Sequence, residues 1–156
     1  MTAATPPAIS RVLLPPLWFL IALVVEVALG RWLPLDRWLP PWLRLVGVVF
    51  VGVGVVLAVW ARGLFKRSGT GVRPFSPSTQ LVAEGPYRFT RNPMYLGLTL
   101  MLLGTALLTG ALSPFLVPPL FMILITALFI RYEEAHMHAT FGADYDAFKR
   151  KVRRWL

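Results

Sequence analysis

The sequence contains no cysteine. That excludes a disulfide, a thiolate nucleophile and any cysteine-ligated metal, and it leaves the redox compartment unmarked. Charge is scarce too: 15% of residues are charged against 56% hydrophobic, with a mean hydropathy of +0.64. Such a composition excludes an ordinary water-soluble surface, so the chain must bury apolar area against lipid as well as against itself. Histidine is limited to His136 and His138. Glu134 and His138, four apart on a helix, could share an ion. His136 and His138 point away from each other and no second ligand-bearing segment exists, so no metal is expected. Internal repeats and low-complexity tracts are missing. A cleavable leader is also not expected: the first base is Arg11, Pro15-Pro16 interrupts the apolar run, and no small-x-small site follows.

What is present is long apolar runs. Against a requirement of roughly 20 residues per crossing helix, four spans can be read: about Val12 to Gly30, Trp42 to Phe65, Met94 to Gly110, and a fourth opening at Ser113-Pro114 and continuing to about Thr140. Ser113 suits an N-cap with proline following it, Pro118-Pro119 should kink or delay the helix, and Gly142 suits a left-handed cap. Residues 31–41 form a short loop whose Trp32 and Trp38 fit an interfacial aromatic belt. Lys66 to Pro93 is a long connection of the kind that is functional or disordered. From Asp144 to Leu156, Tyr145, Phe148, Val152, Trp155 and Leu156 alternate with five bases at near-helical spacing, which reads as a basic amphipathic helix on a membrane surface. The expected fold is therefore an all-α membrane protein, a single domain over residues 1–156 with about four transmembrane helices and a C-terminal interfacial helix.

The formal charge of +9 could mark a nucleic-acid surface, but the bases sit in loops and at the C-terminus, where anionic lipid headgroups are the better counter-surface. With four spans, 13 Lys and Arg fall on the side holding both termini and the long loop, and Arg31, Arg37 and Arg44 on the other. The positive-inside rule then makes the first side cytoplasmic. Glu26, about one turn from the outer end of the first span, is expected to snorkel to the interface. Gly47/Gly54 and Gly97/Gly104, each pair seven apart, should permit close helix packing, as should Gly52.

Two polar clusters border the later spans. The first is Gly85-Pro86-Tyr87-Arg88-Phe89-Thr90-Arg91-Asn92-Pro93-Met94-Tyr95-Leu96-Gly97, and the second is Arg131-Tyr132-Glu133-Glu134-Ala135-His136, followed by Phe141-Gly142 and Tyr145. Polar groups concentrated beside hydrocarbon suggest a site. Pro93 biases Asn92 toward extended backbone and can open a helix whose first N–H groups face a ligand. Glu133 and Glu134 end a helix whose dipole disfavours carboxylates, so they need cations or donors from Arg88, Arg91, Arg131 or a ligand.

This pairing resembles the integral-membrane family of isoprenylcysteine carboxyl methyltransferases and phospholipid N-methyltransferases, with the pattern Gly-Pro-Tyr-Arg, Arg-His/Asn-Pro-x-Tyr-x-Gly, Glu-Glu and Phe-Gly-x-x-Tyr. The resemblance covers about the C-terminal half. It implies an S-adenosylmethionine site within about residues 66–156, lined by Tyr87, Arg88, Arg91, Asn92, Pro93, Tyr95, Leu96, Gly97, Glu133 and Glu134 and closed by Tyr145 and Arg153. Catalytic roles would fall to Glu133, Glu134 and Arg91. Asn92 stands where many relatives have histidine, which removes titration, and Phe148 stands where relatives often have tyrosine. The implied activity is methyl transfer to a lipophilic small-molecule or lipid acceptor, in a bacterial cytoplasmic membrane. Two other readings stay open: an NADPH-dependent membrane reductase related to sterol reductases, and a non-enzymatic module that binds lipid or a partner.

Overall fold

The computed structural model describes residues 7, 14–68 and 81–156. The expected first turn at Val12, Arg11, and residues 69–80 of the long connection, Arg73 among them, lie outside the described residues. Within them the chain forms five helices. Three are long and apolar enough to cross a bilayer: α1 (Pro15–Trp32), α2 (Pro41–Arg67) and α4 (Ser113–Phe141). A shorter apolar helix, α3 (Pro93–Thr109), has 17 residues, and α5 (Ala143–Lys151) follows α4. The chain is an integral membrane protein.

Proline and glycine set the boundaries. Pro15, Pro41 and Pro93 each open a helix, where a missing N–H costs nothing. Gly110 closes α3 with φ 68° and ψ 6°, the left-handed cap that a side chain would oppose. α4 is one continuous rod built from a 3-10 turn at Ser113–Leu116, an α segment Val117–Ile125, a π turn Thr126–Ile130 and a second α segment Arg131–Phe141. Pro118 and Pro119 sit in the first turn of the α segment, so they open it rather than interrupt it. Ser113 does not cap: its hydroxyl donates to the carbonyls of Leu29 and Leu33 and ties α4 to the end of α1.

In lipid, helices associate through close packing rather than escape from water. α2 and α3 form the most extensive pair. A Cβ on Gly97 would lie 2.6 Å from the Gly54 carbonyl oxygen, and one on Gly104 2.5 Å from that of Gly47. The two glycine pairs thus let backbones touch at two levels, whereas Gly52 faces open space. On the other side of α3, Tyr95 and Leu102 join Val117, Phe121, Ile125, Phe129 and Ile130 of α4, with Trp18 and Phe19 of α1 packed against them. Hydroxyls within the apolar helices are satisfied locally: Thr99, Thr105 and Thr126 donate to carbonyls four residues back.

Two expectations fail here. Glu26 does not snorkel: it is fully buried, and neither carboxylate oxygen has a partner among the described residues. Its position faces the bundle, so the short distance to the interface does not help it. The C-terminal helix also ends early, at Lys151, and Val152 turns to extended backbone (φ −122°, ψ 129°). The last residues pair with Thr90 as a short parallel bridge instead of continuing the helix.

Candidate functional site

The segment before α3 is fixed to α2 by one aromatic. Gly85, with φ 55°, starts a 3-10 turn through Arg88, and this turn buries Tyr87. The Tyr87 ring lies 5.6 Å from that of Phe65, and its hydroxyl donates to the Ala61 carbonyl at 3.4 Å. Burial, with the Glu133 charge adding to it, pushes the phenol well above the ordinary tyrosine range. Arg88 and Phe89 point outward.

The next three residues are held by the C-terminal tail. The Arg91 N–H donates to the Arg153 carbonyl at 2.9 Å. The Thr90 hydroxyl and the Asn92 side-chain amide donate to the Arg154 carbonyl at 3.1 and 3.0 Å. Two segments more than 60 residues apart in sequence are thereby stitched together.

Onto this platform α4 delivers its carboxylates. The π turn Thr126–Ile130 precedes Arg131 directly, and such turns recur at functional sites because they reset the helical register. The Tyr95 hydroxyl donates to Glu133 Oε1 at 2.8 Å. Glu134 sits between two guanidinium groups: Arg91 at 3.0 Å from Oε1, and Arg154 bidentate through Nε at 3.0 Å and Nη2 at 2.6 Å. Paired, two-pronged contacts of this kind are strong and directional. The bond to Glu134 raises the Arg154 pKa and keeps it charged. Tyr145 of α5 is buried beside them; burial and the Glu134 charge hold its phenol above its ordinary value. Three buried nitrogens at this end have no partner among the described residues, Trp18 Nε1, Arg91 Nε and His136 Nε2.

The structure therefore brings Tyr87, Arg91, Asn92, Tyr95, Glu133, Glu134 and Tyr145 to one end of the bundle. It places others differently. Pro93 is fully buried at the start of α3, and Leu96 is buried. Gly97 faces the α2 backbone. Arg88 and Arg131, candidates to neutralise the carboxylates, are exposed. The Arg153 side chain is also exposed, and only its carbonyl is engaged. The forked guanidinium on Glu134, beside that of Arg91, belongs to Arg154, one position further on. A helix through residue 156 would have oriented both arginines differently; the extended tail decides which one turns inward. His138 lies outside the cluster, 3.2 Å from Asp146.

The family model for phospholipid methyltransferases matches residues 42–144. The chain belongs to the phospholipid methyltransferase family. The matched stretch includes the 85–97 segment and Glu133–Glu134 and stops before Tyr145 and the tail. A Haemophilus influenzae protein described only as uncharacterized is 40% identical over 63 residues, which is 40% of this chain and 100% of that protein. The Schizosaccharomyces pombe protein-S-isoprenylcysteine O-methyltransferase is 35% identical over 75 residues, 46% of this chain and 30% of that enzyme. No solved structure matches. The family uses S-adenosylmethionine as its methyl donor and acts on lipid-like acceptors.

Proposed function

We propose that this family member transfers the methyl group of S-adenosylmethionine to a lipophilic acceptor at the cytoplasmic face of the membrane. The observation that carries this reading is the meeting of Arg91 and Tyr95 with Glu134 and Glu133, at 3.0 and 2.8 Å, where a polar helix start abuts apolar helices. The donor set fits the cofactor. Arg91 Nε, buried and without a partner among the described residues, suits a carboxylate, and a carboxylate such as Glu133 suits an ammonium or a ribose hydroxyl. When bound, S-adenosylmethionine supplies a methyl carbon already activated by its sulfonium.

The protein's work is then mainly alignment. Glu134, held between Arg91 and Arg154, is fully engaged by cations; it keeps the end of α4 in register with the start of α3. Among the described residues Glu133 accepts from the Tyr95 phenol alone, so it is the carboxylate free to face a ligand. An ammonium acceptor must lose a proton before attack, and a Glu133 oxygen is the base for it. A carboxylate or thiolate acceptor needs no base. Acceptor access is sideways from lipid.

The test uses the full chain in bilayers of a bacterial lipid extract, with methyl-labelled S-adenosylmethionine. Label should pass into an organic-extractable product and fall to background with Glu133→Gln. Absence of transferred label across lipid, prenylated-peptide and apolar amine acceptors would contradict the reading.

A further inference from the structure

Asn92 occupies the N-cap of α3, yet its side chain makes no capping bond to that helix. Asparagine is among the best residues for that task because its oxygen accepts from the second or third N–H of the helix. Here the side chain is diverted. Its amide nitrogen donates to the Arg154 carbonyl at 3.0 Å, where the Thr90 hydroxyl also donates, at 3.1 Å. The Arg91 N–H holds the preceding carbonyl of Arg153 at 2.9 Å. Three donors from three consecutive residues thus fix the backbone of the tail at two consecutive carbonyls. The residue so fixed is the one whose guanidinium forks onto Glu134.

We propose that Asn92 is a positioning residue that latches the C-terminal tail and so delivers Arg154 to Glu134, rather than a residue that touches the cofactor. The functional half of this inference rests on the cofactor reading above; the latch itself can be read in the ligand-free protein. A bidentate contact tolerates little displacement, since both nitrogens must meet both oxygens in one plane. A side chain that fixes the Arg154 backbone therefore controls whether the fork closes. Trp155, packed against the core cluster around Tyr95 and Phe129, anchors the tail beyond the latch.

Asn92→Asp separates latching from capping. It keeps the size and suits an N-cap beside the helix dipole, but it carries no donor for the Arg154 carbonyl. Hydrogen exchange of the ligand-free full chain should show at least tenfold faster exchange in a peptide covering residues 150–156 and at the Arg91 amide. The first turns of α3 should stay as protected as in the unmodified protein. Asn92→His, which restores an N–H donor, should return the tail to near its original protection. Unchanged tail exchange in Asn92→Asp would overturn the latch.

A second measurement addresses the route to the site. S-Adenosylhomocysteine affinity should fall several-fold in Asn92→Asp and in Arg154→Met. The double variant should lose no more than Arg154→Met alone, because Asn92 acts through Arg154. Additive losses would overturn the positioning role and mark Asn92 as a ligand contact. If the unmodified chain binds no S-adenosylhomocysteine, the cofactor reading fails and the positioning role with it, while the exchange experiment still decides the latch.

Discussion

The Tyr95 hydroxyl donates to Glu133 Oε1 at 2.8 Å across 38 positions of sequence, joining the first turn of α3 to the polar end of α4. Tyr95 is 8% exposed, so this bond is sheltered from water and fixes one carboxylate oxygen. A hydrogen bond to a charged group contributes about 1.5–3 kcal/mol. Tyr95→Phe keeps the ring and its packing, and should weaken S-adenosylhomocysteine binding about tenfold. Circular dichroism should show unchanged helix content. Titration calorimetry on the solubilised variant checks this, and equal affinity would remove the pair from the site.

The α2–α3 seam gives a stability prediction independent of ligand. Because a Cβ at Gly97 or Gly104 would strike the α2 backbone, relief requires the helices to separate. Gly97→Leu and Gly104→Leu should each lower the melting temperature or abolish recovery of folded protein, while Gly52→Leu, which faces open space, should be silent. Size-exclusion profiles and thermal melts in one detergent distinguish these outcomes.

Glu26 offers the opposite sign. A buried carboxyl with neither oxygen partnered among the described residues leaves a polar group uncompensated, at a cost of about 1–3 kcal/mol. Glu26→Leu should therefore raise the melting temperature and leave S-adenosylhomocysteine affinity unchanged. A lower melting temperature would show that the carboxyl is satisfied by something bound.

Orientation can be read chemically because the chain has no native cysteine. Arg153→Cys, at an exposed position beside the site, should react with a membrane-impermeant maleimide only after cells are opened. Asp36→Cys, in the exposed loop at the other end of the bundle, should react in intact cells. The reverse pattern would place the site on the outer face.

The sequence makes most of the framework readable. Apolar runs punctuated by Pro41, Pro93, Gly110 and Gly142 mark the helices to within a few residues, because length and proline chemistry alone constrain a membrane helix. The seven-residue spacing of Gly47/Gly54 and Gly97/Gly104 anticipates a close seam, though not which helices share it. Contacts between remote segments are not readable. The Asn92–Arg154 and Thr90–Arg154 bonds depend on a tail leaving helical geometry at Val152, and the alternation of bases with Tyr145, Phe148, Val152 and Trp155 suggests a helix running on. That one difference leaves the Arg153 side chain exposed and turns the Arg154 guanidinium onto Glu134. Glu26 misleads for a related reason: rotation about the helix axis, not depth alone, decides whether a carboxyl can reach water.

The most direct test of the account is calorimetric titration of the purified full chain with S-adenosylhomocysteine, beside a Glu133→Gln variant and an NADPH control. Saturable one-site binding to the unmodified chain, loss of at least tenfold in the variant and no heat with NADPH is the predicted result. No S-adenosylhomocysteine binding, or binding of NADPH in its place, would contradict it.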